Sequence, residues 1–209
     1  MDAVFVLYDQ MTALDLVGPY EVLASHPSVT PWFAAVAPGP VRCDNGLTLH
    51  AGTALRDVPA PDLIVVPGSG RWLAVLEDSA ELTGWLAAAG PAAAWTVSVC
   101  TGSTLLAAAG LLTGRPATTH WAARETLAAG GAVVTAGRVV RDGNVMTSSG
   151  VSAGIDLALT LAAELWGAGT AQALQLGIEY DPEPPFDCGT PEKAPPALVA
   201  AVRAALPGR

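Results

Sequence analysis

Cys100 stands at the junction between a strand-like run, residues 94–99, and a helix-like run, residues 103–109, with Thr101 and Gly102 as the turn. A thiol at a sharp strand-to-helix turn lies beside the unpaired N–H groups and positive dipole end of the helix, and both favour thiolate over thiol. The same turn aims backbone donors at negative charge that develops on a bound substrate. A cysteine buried merely as a small apolar residue has no need of this elbow, so Cys100 reads as a nucleophile. Cys43 and Cys188 lack such a setting and read as inert.

Two further segments offer partners. Asp15 follows the first apolar run of the chain, and Gly68 and Ser69 follow the third. Loops at the carboxyl ends of parallel strands converge on one crevice, so Asp15, Gly68, Ser69 and Cys100 are expected together. There Asp15 would exchange a proton with the thiol, which requires burial and the nearby sulfur to raise its pKa. Thr101 offers a hydroxyl to orient substrate or water, and its backbone N–H together with the backbone at Gly68, Ser69 and Gly102 offers oxyanion or substrate-binding donors. The plainer alternatives are a first-turn acid at Asp15 and a Thr101 that bonds only its own backbone. His120 reads as a hydrogen-bonded histidine of the pocket wall rather than the base of a Cys-His dyad. Glu21, six residues beyond Asp15, is placed beside the pocket and outside the catalytic set. Side chains such as Val17, Trp72 and Trp121 are candidates for an apolar lid.

The elements that must position these groups follow from the apolar pattern. Residues 3–8 form a short apolar run suited to a strand covered on both faces, and a helix is expected to begin around 16–18 with Pro19 in its first turn. Strands are expected at 32–37, 62–66, 95–99 and 133–135, with a further extended piece at 117–119. Helices are expected at 71–76, 82–89, 103–109, 122–128 and from 152 or 153 to 165. Asn45-Gly46 and Asp142-Gly143 signal hairpins. Strands that alternate with helices argue for an α/β, doubly wound, mostly parallel sheet covered on both faces. Residues 179–196 turn to Pro, Asp and Glu with little periodicity and read as an extended arm before a terminal helix at 197–206. With 209 residues, one domain spanning 1–209 is the expectation.

Composition excludes several partners. The net charge of -9 and the absence of any basic run argue against nucleic acid. Residues 84–114 carry no charge, yet Gly90-Pro91 splits the run and no basic cluster flanks it, so no membrane span is expected. The start, Met1-Asp2-Ala3, has no basic export region, and a cytoplasmic protein is expected. The three cysteines are not arranged as CxxC and the three histidines lack short-spaced pairing, so neither a disulfide framework nor a metal site is expected. The high apolar content, 51%, points to surface buried against a second copy.

The elbow Ser98-Val99-Cys100-Thr101-Gly102-Ser103, with the following AAGLLTGRPATTHW at 108–121, resembles the ThiJ/PfpI superfamily. Within that superfamily the chain is most similar to the isonitrile (isocyanide) hydratase subfamily. LDLVGPYEVL at 14–23, SGVSAGID at 149–156 and GIEYDPEPPF at 177–186 carry the same likeness. The resemblance implies a flavodoxin-like fold, a homodimer and a cofactor-free site in which Asp15, Cys100 and Thr101 act together. One departure concerns the turn after the third strand, often Gly-Gly in the superfamily and here Gly68-Ser69. The activity implied is hydration of an isonitrile to an N-substituted formamide through a covalent thioimidate. Glyoxalase or deglycase chemistry on dicarbonyls, and oxidant sensing by Cys100, stay open as alternatives. A peptidase reading is weak, because the position after the nucleophile, often histidine in such proteases, is Thr101. A regulator of the AraC type is disfavoured by the absence of a helix-turn-helix pattern.

Overall fold

The computed structural model describes residues 1–58 and 60–206. The chain begins with β1 (Asp2–Val6), α1 (Ala13–Leu23) and β2 (Thr30–Ala35), then a hairpin of β3 (Gly39–Arg42) and β4 (Thr48–Ala51), and the short β5 (Thr53–Ala54). β6 (Leu63–Val66), α2 (Trp72–Glu77), α3 (Ala80–Ala89), β7 (Trp95–Ser98) and α4 (Gly102–Ala108) follow. Next come β8 (Pro116–Ala117), α5 (Arg124–Ala129), β9 (Val133–Val134), β10 (Val139–Asp142) and β11 (Val145–Ser148). The remaining helices are α6 (Ala153–Trp166), α7 (Ala168–Gly177) and α8 (Pro196–Ala205).

The main sheet has the order β10-β11-β7-β6-β1-β2-β5, parallel throughout except for β10 against β11. This is the flavodoxin-like α/β fold. Alternation along the central strands divides the core in two. Val4, Val6, Ile64 and Val66 pack with Leu86, Leu105, Leu106 and Leu127 on one face, whereas Phe5, Leu63 and Val65 pack with Leu16, Leu157 and Leu161 on the other. Both faces are therefore apolar, which is why these strands read as unbroken hydrophobic runs.

From β1 the chain moves outward to β2, and from β6 it moves the opposite way to β7. The strand order thus reverses between β1 and β6, and the loops that leave those two strands diverge to opposite faces and open a crevice at their carboxyl ends. On one side of it α1 crosses α6 at small residues. A Cβ on Gly18 would lie 3.2 Å from Ile155 Cγ1, and one on Gly154 would lie 3.1 Å from both Pro19 and Val99.

Several expectations need correction. Helix α1 begins at Ala13, so Pro19 lies inside it rather than in its first turn. Proline has no N–H to give to the carbonyl four residues earlier, here Asp15. Helix α7 escaped the sequence reading because its only buried residue is Ala171 and it leaves no apolar stripe. The extended piece expected at 117–119 is only Pro116–Ala117, and it pairs with β9 in a separate small sheet, as Thr118 and Thr119 turn to side-chain bonding. At the second hairpin Asp142 still pairs with Val145, so the two turn residues are Gly143 and Asn144, with Gly143 at φ +58°. Residues between α7 and α8 form neither helix nor strand, in keeping with an extended arm.

Candidate active site

Cys100 leaves β7 with φ +57°, one of three non-glycine residues with positive φ among those described. This conformation costs an L-residue energy and persists because the surroundings hold it. The Cys100 N–H is shared between the carbonyls of Ser148 and Ser149, and its own carbonyl accepts from Thr119 Oγ1 at 3.0 Å. Gly102 follows because nothing larger fits. A Cβ there would fall 2.3 Å from the Val66 carbonyl and 2.8 Å from that of Pro67. The start of α4 is thereby pressed against the end of β6, and the sulfur is directed into the crevice.

Asp15, in the first turn of α1, is fully buried. Its Oδ2 accepts the Gly68 N–H at 2.9 Å, and its Oδ1 is buried without a hydrogen-bond partner. The charges of the Asp15 carboxyl and the Cys100 thiol act on each other, so the two titrate as a pair. Burial pushes the Asp15 pKa from 3.8 up to about 8 against the opposing Gly68 and Cys100 hydrogen bonds, and the charge of Asp44 adds to the rise. Asp15 therefore holds a proton at neutral pH.

For the sulfur, the expectation of a ready thiolate is corrected. Burial, followed by the charge of Asp15, pushes the Cys100 thiol up, while the backbone N–H groups of Thr101 and Val151 pull it down. A sulfur only 4% exposed gains too little from a helix as short as α4 to be ionised by the dipole alone. Both members of the pair therefore hold their protons more tightly than free side chains do.

Thr101 Oγ1 accepts the Ser69 N–H at 2.8 Å and donates to the Ser69 carbonyl at 2.9 Å. These two hydrogen bonds to the backbone of one residue fix the turn after β6 to the elbow after β7. Ser69 Oγ in turn donates to the Gln10 carbonyl at 2.6 Å and accepts the Arg71 N–H at 2.9 Å. The substitution of serine for the usual second glycine thus adds a tie between loops.

Of the expected oxyanion donors, three are spent and the Thr101 N–H is not. Gly68 N–H serves Asp15, Ser69 N–H serves Thr101, and Gly102 N–H bonds the Val99 carbonyl at 2.9 Å. These three positions shape the site through backbone packing, and the N–H groups directed at the reacting sulfur belong to Thr101 and Val151.

Cys100 and Thr101 open onto a cavity of about 410 Å³ whose wall includes Gln10, Asp44, Trp72 and His120. His120 shares the wall, but its Nδ1 accepts the Ala122 N–H at 3.3 Å, and no hydrogen bond joins it to Cys100 among the described residues. Burial and Arg124 lower its pKa, so a neutral ring faces the cavity. Trp72 lines this cavity, whereas Val17 and Trp121 do not. Glu21 is exposed beside a different groove with Phe33 and Leu49, because residue 21 lies on the outer side of α1. Three participants were missed from sequence. Tyr8 donates from its hydroxyl to the Pro67 carbonyl at 2.8 Å, Val151 supplies an N–H to the sulfur, and Asp44 puts a second carboxyl in the crevice. The only signal for Asp44 was its place beside the Asn45-Gly46 turn.

Comparison with known proteins identifies the family. Residues 1–164 match the model of the DJ-1/PfpI family. An isonitrile hydratase of Pseudomonas putida is 47% identical over 199 residues, covering 95% of this chain and 87% of that protein. The crystal structure of a ThiJ/PfpI family protein from Pseudomonas syringae superposes with a TM-score of 0.93 at 36% identity, over 98% of this chain and 85% of that one. Drosophila melanogaster DJ-1beta shares the fold, with a TM-score of 0.74 at 22% identity, over 87% of this chain and 98% of that one. With its buried Asp15–Cys100 pair set at the reversal of a doubly wound sheet, the chain belongs to the DJ-1/PfpI family.

Proposed function

We infer that this protein hydrates isonitriles to N-substituted formamides, with Cys100 as nucleophile and Asp15 as proton carrier. The observation that carries the reading is a fully buried carboxyl, raised so that it holds its proton, coupled to a thiol that opens onto the crevice. The 47% identity to a protein named isonitrile hydratase supports the substrate class.

In the proposed cycle the sulfur bonds to the terminal carbon of R–N≡C, and the proton held by Asp15 passes to that carbon, giving R–N=CH–S–Cys100. Asp15, now a carboxylate, takes a proton from water as the oxygen bonds to the thioimidate carbon and hands it to nitrogen, and it then recovers the remaining hydroxyl proton as the adduct collapses. Cleavage of the C–S bond releases R–NH–CHO and returns the pair with its one proton. No cofactor takes part in this scheme. Thr101 holds the elbow and the Ser69 peptide in register, and the N–H groups of Thr101 and Val151 stabilise charge on the departing sulfur.

Use of the Gly68, Ser69 and Gly102 N–H groups within the fold leaves fewer donors for the oxyanion of dicarbonyl conversion. Thiolate attack on a carbonyl creates an oxyanion that needs donors, whereas attack on an isonitrile places the electron pair on carbon, where the Asp15 proton meets it. Oxidant sensing by Cys100 requires modification without turnover.

A homodimer is part of the proposal. Leu176 is 80% exposed and Phe186 76% exposed, which is apolar surface suited to a second copy. No helix among the described residues is long and apolar enough to cross a membrane, and a cytoplasmic location goes with the proposal. The test is an assay of the purified protein with cyclohexyl isonitrile and, in parallel, with methylglyoxal. Formamide production with no lactate supports the reading, and the reverse result overturns it.

A further inference from the structure

Asp15, the carboxyl that the hydration chemistry uses, lies fully buried behind the crevice, and a second carboxyl forms part of the crevice wall. The other, Asp44, sits at the tip of the β3–β4 hairpin, and its N–H donates to the Met11 carbonyl at 3.0 Å. Asp44 Oδ2 accepts from Thr12 Oγ1 at 2.5 Å and from Gly70 N–H at 3.3 Å. Thr12 is the N-cap of α1, and a threonine there ordinarily turns its oxygen to an amide of the first helical turn. Thr12 makes no such cap, because its hydroxyl is committed to Asp44. A favourable local bond has been given up for a long-range one.

The two partners of Asp44 are the loops that hold Asp15. Thr12 lies three residues before Asp15, and its N–H donates to the Gly68 carbonyl at 2.8 Å, while Gly70 lies two residues after the Gly68 N–H that binds Asp15. Asp44 Oδ1 is buried without a partner, as is Asp15 Oδ1. Two orphaned buried carboxyl oxygens carry a desolvation cost that simple scaffolding does not call for.

We propose that Asp44 is a positioning residue for Asp15, clamping the start of α1 to the turn after β6 and setting the charge that the acid experiences. The proposal rests on the hydratase reading for its rate measurements. The titratable groups that face Asp15 are Cys100 after β7, Tyr8 after β1 and Asp44 on the hairpin. Asp9 and the core residue Cys43 lie near Asp44, and Arg71 and His120 share the cavity wall. Within this set a negative Asp44 opposes loss of a proton from the Asp15–Cys100 pair and keeps the acid loaded until substrate arrives.

Three variants separate clamp from charge. Asp44→Asn keeps the shape and removes the charge, Thr12→Ala removes the clamp and keeps the charge, and Asp44→Ala removes both. Each is followed by the pH dependence of Cys100 alkylation with iodoacetamide and by kcat and KM for cyclohexyl isonitrile, alongside melting curves. Asp44→Asn is expected to move the rising limb of both profiles to lower pH, raising the ratio of rates at pH 6.5 to pH 8 about two- to threefold. Thr12→Ala is expected to lower kcat about tenfold with KM changed less and the limb in place. Asp44→Ala should show both effects. If Asp44→Ala does not fold, the other two variants decide. An Asp44→Asn profile that superimposes on the wild type overturns the proposal, whether or not kcat falls, because it leaves Asp44 a structural residue only. A Thr12→Ala enzyme with unchanged kcat overturns it as well. Should the wild type fail to hydrate isonitriles, the substrate reading fails, and the alkylation profiles alone decide the role of Asp44.

Discussion

The backbone N–H of Gly68 holds Asp15 Oδ2 at 2.9 Å, and a Cβ placed on Gly68 would lie 2.9 Å from that same oxygen and 2.5 Å from Thr101 N. The glycine is therefore required by contact rather than by conformational freedom. Acid and elbow are each packed against one peptide, so their separation is fixed by a residue that touches no substrate. Gly68→Ala is expected to push Asp15 and Thr101 apart at an overpacking cost of about 1–3 kcal/mol. Turnover should fall about a hundredfold while the protein still folds. Steady-state rates and melting curves of the purified variant check both statements.

The acid's elevated pKa sets the pH dependence. Asp15 is raised to about 8, so at mildly acidic pH the pair keeps both protons and is inactive. As pH rises, the form with one proton grows, and kcat/KM should climb about tenfold per pH unit before levelling near pH 8. A profile already flat at pH 6 contradicts this account.

Asp15 also makes stability depend on pH. Below pH 4 both the folded and the unfolded chain hold the proton. Between the ordinary value of 3.8 and about 8 the unfolded chain releases it and the folded chain does not, so stability is lost as pH rises through this window. Asp15→Asn has no proton to lose. It should therefore melt above the wild type near pH 8, with the gap narrowing towards pH 4. Calorimetry at several pH values measures it, and a gap independent of pH contradicts the shift.

Thr101→Val removes the one hydroxyl that satisfies both the N–H and the carbonyl of Ser69. Each orphaned buried group costs about 1–3 kcal/mol. Loss of stability together with slower Cys100 alkylation is expected, since the elbow and the turn after β6 come apart. Thr101→Ser keeps the hydroxyl and should restore most of both.

Much of this arrangement was legible in the chain. The apolar runs of β1, β6 and β7 placed Asp15, Gly68 and Cys100 at carboxyl ends, and alternation with helices implied the sheet that gathers them. Local pattern cannot report which backbone donors remain unspent, because Gly68, Ser69 and Gly102 are satisfied by partners 53, 32 and 3 residues away. Burial of the sulfur was hidden for the same reason, and with it the rise of the thiol pKa. Asp44 stayed unseen because a polar residue beside Asn-Gly reads as solvated hairpin until the fold brings the hairpin over Thr12. Helix α7, nearly all polar or exposed, carried no periodic signal.

The most direct test of the central claim is the mass of the protein quenched in acid during turnover of an isonitrile. A covalent adduct equal to the mass of one substrate molecule is predicted on the peptide containing Cys100. It should be absent from Cys100→Ala, which should also show no turnover. Formamide production at the wild-type rate by Cys100→Ala would contradict the account.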